Sequence, residues 1–157
     1  KWIKIFSVWL CIIPVAILNG GFREYFLENY LSEKASLSVS GIILSVLIFF
    51  ITSVLLLRIK EISYRDSIIT GLFWTVLTIG FEFSFGLSSG STWSELIEAY
   101  NPLSGNLWIL VILSTLLSPI LTYRLKGYMA SNIEFIEFIS SQLEGLGYVR
   151  YQKMFGD

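Results

Sequence analysis

Long uncharged runs, separated by short polar segments, dominate the pattern of this chain. They cover about residues 5–22, 35–57, 67–87 and 107–123, and a single acid, Glu82, interrupts the third run. At 1.5 Å per residue, such runs are about long enough to cross the ~30 Å hydrocarbon core of a bilayer. The pattern therefore predicts four transmembrane helices.

Residues 22–31, between the first two runs, carry aromatic side chains at helical spacing, namely Phe22, Tyr25, Phe26 and Tyr30. Charged residues fill much of the rest of this segment, which is typical of a short amphipathic helix at the membrane interface. The alternative is that the first helix simply continues into water.

A second short helix is predicted between the third and fourth runs. Thr92 and Glu95 have the spacing of a capping box, and apolar residues follow at helical spacing, namely Trp93, Leu96, Ile97 and Tyr100. Asn101 and Pro102 should end this helix.

These elements predict an all-α fold, an up-down bundle of four transmembrane helices with two short interfacial helices on its outer side. Residues 1–126 form the membrane domain, and residues 127–157 form a cytoplasmic tail.

Basic residues set the expected orientation, since short cytoplasmic loops carry an excess of Lys and Arg. They concentrate in the amino-terminal flank, the central turn and the tail flank, namely at Lys1, Lys4, Arg58, Lys60, Arg65, Arg124 and Lys126. The other two loops hold only Arg23 and Lys34. We therefore expect a multi-pass protein of the inner (plasma) membrane with both termini in the cytoplasm.

Composition agrees with lipid as the solvent, because 54% of the residues are hydrophobic and 15% are charged. The net charge is −1 without a basic block, which argues against nucleic-acid binding by the membrane domain. There is no histidine and a single cysteine, Cys11, so neither a His/Cys metal site nor an intrachain disulfide is expected. No cofactor is indicated.

Glu82 is the main candidate for function, since a charged side chain inside a span is costly and needs a partner. The basic residues nearest the outer end are Arg23 and Lys34, and Arg23 follows directly on Asn19 and two glycines at the end of the first span. We predict an ion pair between Glu82 and Arg23, with Asn19 as an added donor. A structural role in packing is weighed above a proton or ligand role.

Further candidates lie in the predicted outer loops, namely Glu24, Trp93, Glu95, Tyr100 and Asn101. An enzyme that combines Glu82 with Glu95 or Asn101 is the less favoured alternative, because the chain has no phosphate-binding loop and no histidine-based catalytic set.

Residues 1–126 resemble a family of small bacterial integral membrane proteins of unassigned function. The resemblance lies in NGGFRE at residues 19–24, FEFSFG at residues 81–86, and TWSELIEAYN at residues 92–101 leading into GNLW. It implies four helices and no particular activity.

Residues 132–157 resemble the start of the TfoX/Sxy amino-terminal domain, whose members include regulators of natural competence. The features are an opening helix, the Leu146-Gly147 turn, and a strand leading into the R-x-x-K-MFG motif at residues 150–156. Asp157 departs from the Gly expected after MFG. Because Met129-Ala130-Ser131 would suit a translation start, a natural fusion, a read-through product and a fragment all stay open.

Two hypotheses follow. The first is a structural, binding or small-solute transport module built around Glu82, whose ligand and oligomeric state the sequence does not specify. The second is a membrane anchor for a TfoX-like regulatory or interaction segment, with a soluble protein or a second copy of the chain as partner through the tail.

The orientation can be tested by cysteine labelling in a Cys11→Ser background. A cysteine at Ser89 should react with a membrane-impermeant reagent applied from outside, and one at Ser63 should not. The reverse labelling would contradict the predicted orientation.

Overall fold

The computed structural model describes residues 1–59 and 62–155, with side chains described through residue 146. All regular structure in that part of the chain is helical. The long helices are α1 (Trp2–Tyr25), α2 (Glu33–Leu56), α3 (Tyr64–Ser88) and α5 (Trp108–Phe155), and the short helix α4 spans Trp93–Glu98. Two 3₁₀ turns lie at Leu27–Asn29 and Pro102–Ser104.

The all-α prediction is thus confirmed for the described residues. Four helices in them are long and apolar enough to cross a membrane, and they coincide with the four predicted spans. Lys60, one of the basic residues used to predict orientation, lies outside the described residues.

The first predicted interfacial helix is wrong as a separate element. Helix α1 continues through Gly20 and Gly21 to Tyr25, and only a 3₁₀ turn follows. A glycine inside a helix costs about 1 kcal/mol, but a break among apolar surroundings would leave backbone groups without partners, which costs more. The alternative, continuation of the first helix, is the one that forms.

The strand implied by the TfoX resemblance is also absent from the described residues. Helix α5 runs on to Phe155, through Gly145 and through Leu146-Gly147, where the resemblance implies a turn. A single strand without a neighbour cannot pair its backbone groups, whereas a helix satisfies them within one segment. Gly156 and Asp157, the end of the motif, lie outside the described residues.

Contacts between helices give their directions. The end of α1 meets the start of α2, where Asn19 Nδ2 donates to Ser40 Oγ at 2.7 Å, so these two helices are antiparallel. Helix α3 runs parallel to α1, because Lys1 pairs with Asp66 at 2.9 Å and Trp9 Nε1 donates to Thr78 at 3.0 Å.

The fourth span runs antiparallel to α3 and parallel to α2. Tyr64 and Tyr123 have ring centroids 5.8 Å apart at one end of the bundle. At the other end, Trp108 reaches Glu82, and the start of α2 approaches Leu107 at Gly41. The helices therefore alternate in direction along the chain, as an up-down bundle requires.

The chain divides into two compact units, Lys1–Tyr123 and Arg124–Asp157. The first holds the buried apolar core, contributed by all four long helices and the segment after α2, namely Ile5, Val8, Trp9, Ile12, Leu44, Ile48, Leu56, Ile59, Trp74 and Val111. In the second, the large apolar side chains described from Tyr128 to Leu146 are exposed.

Close approach of α3 and α5 depends on one glycine. A Cβ added at Gly71 would overlap the carbonyl oxygen of Leu116, whereas a Cβ added at Gly80 of the same helix would meet open space. Small residues that let backbones approach are the usual means of packing helices in membranes.

Gly71→Ala should therefore lower the free energy of unfolding by about 1–3 kcal/mol, because α5 must shift away. Gly80→Ala, the matched control, should be neutral or stabilising by up to about 1 kcal/mol, because alanine favours the helix. Unfolding in mixed detergent micelles measures both. Equal effects of the two variants would contradict the proposed close approach.

Candidate functional site: a cleft around Glu82

Glu82 lies within the last two turns of α3 and is half-buried. Its Oε2 accepts a hydrogen bond from Trp108 Nε1 at 2.5 Å and another from the Tyr100 hydroxyl. The carboxyl group therefore has two neutral donors and, among the described residues, no basic partner.

Tyr100 reaches Glu82 because helix α4 packs closely on the end of α3. Leu96 of α4 is buried against Gly86, where an added Cβ would come within 2.5 Å of the leucine side chain. Phe83 lies between Trp93 and Tyr100, with ring centroids 5.5 and 6.2 Å away. Together these contacts hold the Tyr100 ring beside the carboxylate.

Trp108 is placed by the turn that precedes α5. Gly105 adopts φ +88°, which side-chain-bearing residues rarely adopt, and its carbonyl accepts from Ser38 of α2 at 2.7 Å. Asn106 Oδ1 then accepts from the backbone N–H of Trp108 at 3.1 Å. The first residue of α5 is thus held at the level of Glu82.

An apolar cleft of about 510 Å³ opens beside Glu82, between α1 and α3. Its α1 wall includes Trp9, Ile17 and Gly21, and its α3 wall includes Phe81 and Phe85; the remaining lining residues are Ile12, Ile13, Ala16, Gly20, Glu24, Thr78, Glu82, Gly86, Leu96 and Trp108. Cavities of ~300–1,000 Å³ accommodate small organic ligands. We call this cavity the Glu82 cleft.

The predicted ion pair between Glu82 and Arg23 is not present. Arg23 Nη2 lies 3.0 Å from Glu24 Oε1, and its Nε lies 3.6 Å from Glu28 Oε1. Acids one and five residues away on the same short stretch of chain reach the guanidinium with little ordering of the backbone. Pairing with them also leaves Arg23 nearer to water than pairing inside the span would.

Asn19 is buried but does not contact Glu82. Its Nδ2 donates to the carbonyl oxygen of Ser40 at 3.1 Å and to Ser40 Oγ at 2.7 Å, so it joins α1 to α2. Its Oδ1 has no hydrogen-bond partner among the described residues. Asn19 and Arg23 both line a separate small cavity of about 50 Å³.

Of the loop candidates, Tyr100 contacts Glu82 and Glu24 lines the rim of the cleft. Glu95 completes the capping box of α4, where its Oε2 accepts from the Thr92 backbone N–H at 2.7 Å. Asn101 caps the second 3₁₀ turn, with its Oδ1 3.1 Å from the Leu103 backbone N–H. Glu95, Asn101 and Trp93 therefore build the loop rather than line the cleft.

Two loop residues have shifted acidities. Burial, followed by the hydrogen bond to Glu82, raises the pKa of the Tyr100 phenol, which keeps this group a donor over the physiological range. The hydrogen bonds from Thr92 lower the pKa of the exposed Glu95 carboxyl, as expected for a capping acid.

Trp108 was missed as a site residue, because it lies at the start of the fourth predicted span, where an aromatic residue is usually an interfacial anchor. The available signal was geometric. In an up-down bundle the start of the fourth helix lies beside the end of the third, so an indole N–H there is within reach of an acid near that end.

Among the described residues, no group of three or more His, Cys, Asp or Glu side chains could hold a metal ion. The site thus offers a carboxylate fixed by two donors at the wall of an apolar cleft. That arrangement can bind a ligand group.

Comparison with protein families, with curated proteins and with solved structures finds no match to this chain.

Proposed function

We propose that this protein is a membrane-embedded binding module whose Glu82 cleft takes up a small, largely apolar solute. One observation carries the proposal. A carboxyl group without a basic partner forms part of the wall of an apolar cavity of about 510 Å³. Apolar cavities with a few fixed polar groups are the usual form of small-molecule sites.

The hydrogen bonds to Glu82 support a recognition role. Trp108 and Tyr100 both donate to Oε2, which fixes the carboxyl group, while Oε1 accepts no hydrogen bond from the described residues. Oε1 is not among the buried side-chain atoms of the described residues that lack a hydrogen-bond partner, so it is accessible to a molecule from outside the protein. The free oxygen suits the polar end of a ligand.

The cleft also has a route for entry. Ile17 and Phe85 line it and are more than half exposed, on helices that are apolar enough to span a membrane. A solute dissolved in the hydrocarbon could therefore enter between α1 and α3. In the transport form of this proposal, the protein also moves the bound solute across the membrane.

A specific observation favours a second function, that of a membrane anchor for a TfoX-like regulatory or interaction segment. Helix α5 continues without a break beyond the fourth span, and its apolar side chains from Tyr128 to Leu146 are exposed. An exposed apolar surface of this kind marks an interaction site, for a soluble protein or a second copy of the chain.

The proposed setting for either function is the plasma membrane with both termini in the cytoplasm.

Binding can be tested with the dye N-phenyl-1-naphthylamine, whose fluorescence rises in apolar sites, on protein in lipid nanodiscs. Gly21 lines the cleft, and a Cβ there would meet open space, so Gly21→Leu should place a side chain inside the cleft and obstruct it without strain. We expect saturable binding in the wild type and a loss of about tenfold or more in Gly21→Leu.

Gly80→Leu is the matched control, because Gly80 also faces open space but does not line the cleft. It should bind the dye as the wild type does. Equal fluorescence of all three proteins would mean that the dye binds only lipid or the outer surface, and the proposal would fail.

A further inference from the structure

The charges that face the Glu82 cleft have one sign. Glu24 and Glu82 are the charged residues among those that line it, and Arg23 lines the neighbouring small cavity instead. Glu24 is paired with Arg23 at 3.0 Å. One carboxyl group, that of Glu82, is therefore left in the cleft without a cation.

The two indole N–H groups that line the cleft are already engaged as donors to the protein. Trp9 Nε1 donates to Thr78 at 3.0 Å, and Trp108 Nε1 donates to Glu82 at 2.5 Å. An anionic ligand would find no basic side chain among the described residues that line the cleft, and it would face a carboxyl group across a medium of low polarity. Like charges at such a site repel strongly.

Aromatic rings surround the same space. Trp9, Phe81, Phe85 and Trp108 line the cleft, and Phe81 and Phe85 are stacked with ring centroids 5.8 Å apart. The faces of aromatic rings attract cations, most strongly where water is excluded, and such rings are the usual binding site for quaternary ammonium groups.

From this arrangement we infer that the ligand of the Glu82 cleft is a hydrophobic cation with a single positive charge, such as a lipophilic amine, ammonium or phosphonium ion. The cation faces Glu82 Oε1, and its apolar groups pack on the rings and on Ile17. One unpaired carboxyl group fits one positive charge. This inference depends on the proposed binding function and specifies its ligand.

Three probes of similar shape and different charge distinguish the inferred positive charge of the ligand from the binding function itself. They are tetraphenylphosphonium, the anion tetraphenylborate, and neutral triphenylphosphine oxide. Binding to nanodiscs is measured by equilibrium dialysis, and binding to Gly21→Leu discs is subtracted to remove partition into lipid. We expect cleft-specific binding of tetraphenylphosphonium to be about tenfold or more tighter than that of either other probe.

Glu82→Gln should weaken tetraphenylphosphonium binding by about tenfold or more and leave binding of the neutral probe within about twofold. Glu98→Gln is the charge-matched control, because Glu98 is an exposed acid of α4 outside the cleft, where it accepts from Asn101 at 2.9 Å. It should bind all three probes as the wild type does.

Equal or tighter binding of the neutral probe or the anion by the wild type would overturn the charge inference and leave the binding function in place. That comparison uses only the wild type and the Gly21→Leu baseline, so it does not depend on the Glu82→Gln variant. Absence of cleft-specific binding for all three probes and for the naphthylamine dye would contradict both proposals.

Discussion

A carboxyl group inside an apolar span must be given partners, and the chain around Glu82 is arranged to supply them. Tyr100 comes from the segment that links α3 to α5, and Trp108, the first residue of α5, follows directly on that segment. That segment is positioned by local features, including the capping box of α4, the contact of Leu96 with Gly86, and the left-handed Gly105. The loop therefore positions hydrogen-bond donors to a carboxyl group inside the bundle, in addition to covering its surface.

The choice of neutral donors has a consequence for function. An ion pair with arginine would have neutralised Glu82 and filled its surroundings with a long side chain. Donation by a phenol and an indole fixes the carboxyl group but supplies no positive charge, and it leaves the space between α1 and α3 open. The same two contacts thus account for the fixed carboxyl group and for its availability to a ligand.

Much of the fold could be predicted from the sequence, because each spanning helix is a long apolar run and the capping box of α4 is a local signal. The position of Glu82 near the end of its helix followed from the same run. Its partners could not be predicted by charge alone. Arg23 was the nearest cation by topology, yet Glu24 and Glu28 are closer along the chain and pair with it instead.

The tail shows a second limit of prediction from the sequence, namely where a helix ends. Gly145 and Gly147 are normally good signals for the end of a helix, and the resemblance to a domain with a strand favoured an ending there. Glycine only permits a break. Without a neighbouring strand to pair with, the backbone of the described residues stays helical to Phe155.

The central claim is that Trp108 and Tyr100, and not Arg23, hold Glu82. Double-mutant cycles on the free energy of unfolding in mixed micelles test it most directly, with Glu82→Gln combined with Trp108→Phe in one cycle and with Arg23→Gln in the other. The account predicts a coupling of about 1–3 kcal/mol for Glu82 with Trp108, and additivity within about 0.5 kcal/mol for Glu82 with Arg23. Strong coupling to Arg23 together with additivity for Trp108 would contradict it.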